Sequence, residues 1–188
     1  VDFTFAQVGV DKEVVGYGAN CGNMSSAIGP FAVDEGLITV AGDEATVRIY
    51  NTNTDKIIHA RFALDGGLAA VEGDFELPGV AGEGAPVRME FRDPGGAVTG
   101  HLLPTGNVID EIEVPGVGAV EASLVDAANP CVFVEADALG ITGTEGPAAI
   151  DDMAKVMGHL EAIRSRATVM MGMANTPEEA TEKSPSIP

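Results

Sequence analysis

From residue 45 to residue 64 apolar and polar side chains alternate with a period of two, the pattern of half-buried β-strands. Ala45, Val47 and Ile49 share one face of the first run, and Thr46, Arg48 and Tyr50 share the other. Asn51 to Asp55 is rich in turn formers, and the second run, Lys56 to Leu64, stops at Asp65-Gly66-Gly67. The same reading predicts a strand over residues 2–10 through Phe3, Phe5 and Val8, and others over 87–91, 108–114 and 118–125. Pro115-Gly116 joins the last two. Cys131 to Val134 reads as a short buried strand with Cys131 packed inside, and the Gly-, Pro- and Ala-rich stretch 78–86 reads as a loop.

Two segments carry the helical period instead. One opens near Cys21 and runs to about Glu35, where Gly36 supplies a stop. Its apolar residues fall on several faces, which predicts a buried helix, and Pro30 inside it implies a kink or an irregular turn. The other covers about 147–171, with Pro147 suited to its first position and Asp151 and Asp152 to its first turn. Ile150, Met153, Met157, Leu160, Ile163 and Ala167 form its core-facing stripe, the methionines acting as core filling. After Asn175 the polar, proline-bearing segment to Pro188 is expected to fray. Many strands around a few helices, without βαβ alternation, define an α+β, barrel-like design.

Composition narrows the functions open to such a fold. Across 188 residues, 29 acidic side chains against 10 basic ones give a formal net charge of −19, which argues against binding a nucleic-acid backbone. The surplus of carboxylates fits either a salt-adapted source or simply a well-solvated surface. No apolar stretch approaches the ~20 residues of a membrane span, and the first ten residues lack the basic start of a secretory leader. These features point to a cytoplasmic protein without membrane partners. The first residues are already strand-like and no initiator methionine precedes them, so the chain reads as an internal piece of something longer. Cys21 and Cys131 do not make a disulfide framework, and His59, His101 and His159 show no metal-ligand spacing, so no metal is expected.

The candidate chemistry lies in Gly18-Ala19-Asn20-Cys21-Gly22-Asn23-Met24, where a turn of glycines and asparagines becomes a helix. The N–H groups and the dipole at a helix start stabilise negative charge, so a carboxylate can dock there beside a thiol. That suits Cys21 as the acid or base in proton transfer at carbon, with Asn20, Gly22, Asn23 and Met24 forming the surrounding binding turn. The bland alternative for Cys21 is a small buried residue at a helix start.

Four stretches, in order, resemble the PrpF-type isomerases of the diaminopimelate-epimerase-like superfamily: Asn20 to Met24 with Gly29-Pro30-Phe31-Ala32, Gly100 to Asn107, Asn129-Pro130 through Gly140 to Glu145, and Arg164-Ser165-Arg166. The resemblance implies two similar domains, each with β-strands wrapped around a central helix, and an active site in the cleft between them. It also implies a cofactor-independent enzyme moving a double bond or inverting geometry in unsaturated di- or tricarboxylic acids such as methylaconitate. On this view residues 1–107 are the later part of the N-terminal domain and 108–188 the opening part of the C-terminal one, hinged near Pro104-Thr105-Gly106.

The same resemblance makes Asn129 a substrate-binding amide, although the residue also suits a turn between strands. Thr105, Gly106 and Asn107 are either a carboxylate-binding turn or the interdomain hinge. Thr142 to Glu145 reads as a helix lead-in, and His101 has no partner at catalytic spacing. The family's proton-shuttling lysine comes from well before its cysteine, whereas Lys12 alone precedes Cys21 here and stands too close. The second domain's central helix would lie beyond Pro188. The chain is therefore expected to be an incomplete, weakly active portion of an isomerase, the alternative being a non-catalytic anion-binding or structural fragment of the same fold.

Overall fold

The computed structural model describes residues 1–10 and 13–183. In chain order the first elements are β1 (Asp2–Phe3), β2 (Gln7–Val8), β3 (Val15–Gly16), α1 (Gly22–Asp34), β4 (Glu44–Asn51) and β5 (Lys56–Asp65). Then come the short β6 (Leu68–Ala69), β7 (Phe75–Glu76), β8 (Glu83–Gly84) and β9 (Arg88–Phe91). The rest comprises β10 (Asp110–Val114), β11 (Gly118–Ala127), β12 (Asn129–Val134), a 3-10 turn at Ala136–Leu139, α2 (Pro147–Asp151), α3 (Ala154–Met170) and α4 (Pro177–Lys183). Two compact units result. One holds Val1–Ala6 and Asn20–Asp93, and the other holds Gln7–Ala19 and the chain from Pro94 onward. The division thus falls at Asp93–Pro94, ahead of the break expected after Asn107, and residues 7–19 go with the second unit.

The first unit is a sheet in the order β1-β4-β5-β6, with β9 also on β5. The long pair β4–β5 is antiparallel from Glu44↔Ala63 to Asn51↔Lys56, as the alternation predicts. Its inward phase, Ala45, Val47 and Ile49 with Ile58, Ala60 and Phe62, joins Val33 of α1 in one core. α1 begins after Cys21 and ends at Glu35, with Gly36 at φ +66° taking the left-handed turn that stops it. The helix passes through Pro30 without ending. It is not buried on several faces as expected. Ser25, Gly29, Ala32 and Val33 form a single inward stripe, while Met24 and Phe31 are exposed. Contact with the sheet is close because Gly29 has no side chain: a Cβ there would lie 2.7 Å from Ala60 Cβ and 2.9 Å from Phe62 Cε1.

Residues 2–10 do not make one strand. β1 runs parallel to β4 only through Phe3↔Asn51, while β2 pairs with β3 in the second unit. The Asn53 side chain ends the ladder. Its Oδ1 accepts the Phe5 N–H at 2.8 Å and its Nδ2 donates to the Phe5 carbonyl at 2.8 Å, taking both groups a neighbouring strand would use. The expected loop 78–86 also holds a small piece of strand, since Glu83–Gly84 pair with Phe75–Glu76.

In the second unit β10, β11 and β12 form an antiparallel sheet with registers Ile112↔Val120 and Leu124↔Val132. Ile112, Val114, Val120, Ala122 and Leu124 pack against Leu139 and against Ile163, Ala167 and Met171 of the helical layer. The single helix expected over 147–171 is two. α2 starts with Pro147 as predicted, but Met153 has φ −89° and ψ 71°, outside the helical region, and α3 begins after it. Asp151 and Asp152 explain the break: aspartate is a poor helix former, and negative charge is unfavourable at the end of one helix and favourable ahead of the next. Of the expected stripe, Ile163 and Ala167 are buried, whereas Met157 is exposed.

The expected fraying after Asn175 gives way to α4. Thr176 Oγ1 accepts the Glu179 N–H at 3.1 Å, Glu179 Oε2 accepts the Asn175 N–H at 2.7 Å, and Pro177 opens the helix. This is the logic of a capping box, with proline where its missing N–H costs nothing. Ala180 is fully buried, and Arg164 Nη2 donates to its carbonyl at 3.1 Å. Residues 184–188 of that expectation, like Lys12, lie outside the described residues.

Candidate active site

Cys21 caps α1. It has extended backbone angles, φ −115° and ψ 112°, and is half-buried. Its carbonyl accepts the Ser25 N–H at 2.9 Å and the Ser25 hydroxyl at 2.8 Å, so the first turn closes directly onto the cysteine. In any helix the first-turn N–H groups lack an intrahelical acceptor, which here means those of residues 22–24. No acidic side chain stands in that turn. For a chain of net charge −19 this is informative, because the helix start carries no opposing charge in its own first turn. Gly22 and Asn23 are exposed, and a Cβ on Gly22 would meet only Phe91 Cζ at 3.7 Å, an ordinary contact. The Asn23 carbonyl accepts the Ser26 hydroxyl at 2.6 Å, and the Met24 side chain is half-exposed.

Asn20 sits differently. It is buried, and its Oδ1 accepts the Asn51 amide at 3.2 Å and lies 3.0 Å from Ser25 Oγ, whose one proton it shares with the Cys21 carbonyl. That carbonyl oxygen therefore holds the turn together from inside. Sequence reading missed Asn51, which is fully buried and bonded to four residues. The available signal was its phase: it continues the inward series Ala45, Val47, Ile49 where the next side chain should be apolar.

The Thr105-Gly106-Asn107 turn belongs to the second unit and grips a carboxylate of the protein itself. Thr105 Oγ1 donates to Asp110 Oδ2 at 2.6 Å, and Asn107 Nδ2 donates to Asp110 Oδ1 at 2.8 Å. Gly106 at φ +83° gives the turn its left-handed bend. Asn129 is half-buried at the start of β12, opposite Ala127 and beside the left-handed Ala128.

Cys131 is exposed, contrary to the expectation of a packed residue. Alternation along β12 turns Val132 and Val134 toward the core and leaves Cys131 and Phe133 on the other side. Both cysteines are free.

Two other stretches that carry the resemblance are tied into internal hydrogen bonds. Glu145 accepts the N–H groups of Thr142 and Gly143 at 2.7 and 2.9 Å, which helps hold its carboxyl down at about 2 and ties off the lead-in to α2. Arg164 grips Glu161 through two 2.8 Å bonds, and that hydrogen bonding leads the causes holding the Glu161 carboxyl at about 2. The apolar groove between β12 and α3, about 380 Å³, includes Arg164 on its wall, but this guanidinium is already neutralised by Glu161.

The geometry is that of an α+β chain in which a cysteine occupies the start of a helix laid on a sheet. The sequence model of the PrpF protein matches residues 1–188, and the chain belongs to the PrpF family. It is 46% identical over 188 residues to a 3-methylitaconate isomerase of Eubacterium barkeri, covering all of this chain and 49% of that protein. A 2-methyl-aconitate isomerase of Cupriavidus necator is 37% identical over 190 residues, with 97% of this chain and 48% of that protein covered. The crystal structure of methylitaconate-delta-isomerase superposes with a TM-score of 0.82 at 46% identity, covering all of this chain and 48% of that one. The chain thus spans about half the length of the relatives it matches. Among the described residues no helix is long and apolar enough to cross a membrane.

Proposed function

We propose that this sequence supplies the cysteine-bearing part of a cofactor-independent isomerase acting on unsaturated di- or tricarboxylic acids of the methylaconitate and methylitaconate kind. In an allylic isomerisation a base removes a proton from the saturated carbon next to a double bond conjugated with a carboxylate, the electron pair spreads as a dienolate, and a proton returns at another carbon. The double bond moves and the atoms balance. Cys21 exchanges one of these protons. The N–H groups of Gly22, Asn23 and Met24 hold the developing negative charge, where preorganised donors act without reorganisation. Asn129 and the Thr105–Asn107 turn belong to the same proposal, the latter through its backbone because its side chains hold Asp110. A cytoplasmic setting fits as well, since proton exchange needs Cys21 as a reduced thiol.

The observation that carries this reading is the placement of Cys21 at a helix start without a carboxylate in its first turn, in a chain of the PrpF family. The test follows hydrogen exchange and ultraviolet absorbance of aconitate-like acids in deuterated buffer. In a polypeptide of the relatives' full length that carries this sequence, Cys21→Ser should lower turnover by about 10²–10⁴, the usual worth of a positioned acid or base. The 188 residues alone should turn over weakly, because isomerisation needs a second proton-transfer group within reach of the same substrate. Undiminished turnover by the serine variant would overturn the assignment. Binding of the acid without any exchange would favour the anion-binding alternative.

A further inference from the structure

The Asn51 amide lies at the meeting point of three pieces of chain, and its bonds can be accounted for atom by atom. Burying an amide is costly unless it is satisfied, and Asn51 is fully buried. Its Oδ1 accepts the Thr54 N–H at 3.1 Å and the Thr54 hydroxyl at 2.7 Å. A backbone N–H can only donate, so the oxygen must face Thr54 and the nitrogen must face the other way. That nitrogen has two hydrogens and three acceptors: Asn53 Oδ1 at 3.1 Å, Asn20 Oδ1 at 3.2 Å and the Phe3 carbonyl at 3.4 Å. One amide therefore ties the end of β1, the β4–β5 turn and the residue just before Cys21.

The tie continues beyond Asn20. Ser25 Oγ lies within hydrogen-bond distance of both Asn20 Oδ1 and the Cys21 carbonyl, and the Ser25 N–H donates to that carbonyl as well. Cys21 is thereby bracketed, with its predecessor anchored by a side chain and its own carbonyl clamped by the first helical turn. An aspartate at 51 would set a carboxylate oxygen against three carbonyl oxygens, those of Asn53, Asn20 and Phe3, and a leucine would leave Asn20, Asn53, Thr54 and Phe3 without this partner.

We propose that Asn51 is a positioning residue for Cys21. Through Asn20 and Ser25 it fixes where the thiol stands relative to the donors of the helix start. This rests on the reading of Cys21 as the proton-exchanging group, but its test does not use turnover. In the 188-residue polypeptide carrying Cys131→Ser, Cys21 is the sole thiol, so alkylation reports on it alone. The second-order rates with neutral iodoacetamide and anionic iodoacetate, each normalised to the urea-unfolded chain, measure access and local field together.

Asn51→Ser and Asn20→Ala should each change the native rates or their ratio by about fivefold or more, the factor a typical hydrogen bond is worth. Val47→Ala removes methyl groups from the same face of the same strand without touching the amide network, and should leave both rates within about twofold while lowering stability. If Asn51→Ser does not melt cooperatively, Asn20→Ala and Ser25→Ala probe the same bonds from the cysteine side. Unchanged rates in the folded variants, or an equal change in Val47→Ala, would overturn the proposal. Full turnover by Cys21→Ser in the full-length setting would instead sink the functional reading and leave these rates as they are.

Discussion

Both units bury a polar side chain where an irregular loop meets a sheet, but with different chemistry. In the first unit the buried group is Asn51, a neutral amide that both donates and accepts. In the second it is Asp126, a fully buried carboxylate whose Oδ2 takes the Val98 N–H at 2.8 Å, the Thr99 N–H at 2.7 Å and the Thr99 hydroxyl at 2.9 Å. Asp110 repeats that arrangement with Thr105 and Asn107. Carboxylates make stronger bonds, but they consume the donors of the loops they hold. An amide holds the Cys21 turn without adding negative charge beside the helix start. In the second unit loop N–H and hydroxyl groups are taken up by Asp126 and Asp110, whereas in the first the tie is made by an uncharged side chain.

The sharpest way to break that comparison is Asp126→Ala. It should destabilise the chain by about 3 kcal/mol or more, because three donors lose a charged acceptor. Urea denaturation would give the loss, and amide exchange should accelerate over 94–102; a cost below about 1 kcal/mol would mean the carboxylate does not hold the loop. Next in size is Gly29→Ala, expected to cost about 1–3 kcal/mol by overpacking, since the added methyl would clash with Ala60 and Phe62. A smaller loss of about 1 kcal/mol is expected for Thr105→Val, which keeps shape and removes one bond to Asp110. Equal stability of this variant by thermal melting would show that the Thr105 hydroxyl adds nothing to the hold that Asn107 keeps on Asp110.

The smallest effects should appear in opposite pH windows. Glu145, Glu161 and Glu179 in the second unit are held near 2, below the ordinary value of 4.5, chiefly by hydrogen bonds from Thr142, Arg164 and Lys183 respectively. A carboxyl lowered on folding stabilises fully above its unfolded value, and that gain fades as pH falls from about 4.5 toward 2. Tyr50 in the first unit runs the other way. Its hydroxyl donates to Asp55 at 2.6 Å, which raises it above the ordinary 10.0, so its contribution persists below pH 10 and is lost as pH rises through the folded value. Amide exchange at both extremes, with tyrosine absorbance titrated in Tyr50→Phe, would show whether acid opens the second unit first and alkali the first.

The elements legible in the sequence were those whose pattern is local. Ala45, Val47 and Ile49 marked β4, and Gly36 marked the end of α1. The break at Met153 was hidden because apolar spacing continues across it, while Asp151 and Asp152 suit the start of either helix. α4 was misjudged from composition, although Thr176, Pro177 and Glu179 spell out its cap. The place of Cys21 at a helix start was readable from its neighbours alone. Asn51 was not, because an asparagine beside Thr52, Asn53, Thr54 and Asp55 looks like turn chemistry, and its bonds to Asn20 and Phe3 span 31 and 48 residues.

The path of the chain has one further consequence. The polypeptide passes between units at Ala6–Gln7, Ala19–Asn20 and Asp93–Pro94. A protease nicking it at Asp93–Pro94 would therefore not release two self-contained domains, because the amino-terminal fragment would carry away β2 and β3, which belong with the other piece. Gene truncation at that point would inherit the same flaw. Splitting this sequence cleanly for separate expression requires excising or rejoining residues 7–19, and the seam at Ala19–Asn20 stands only two residues from the thiol.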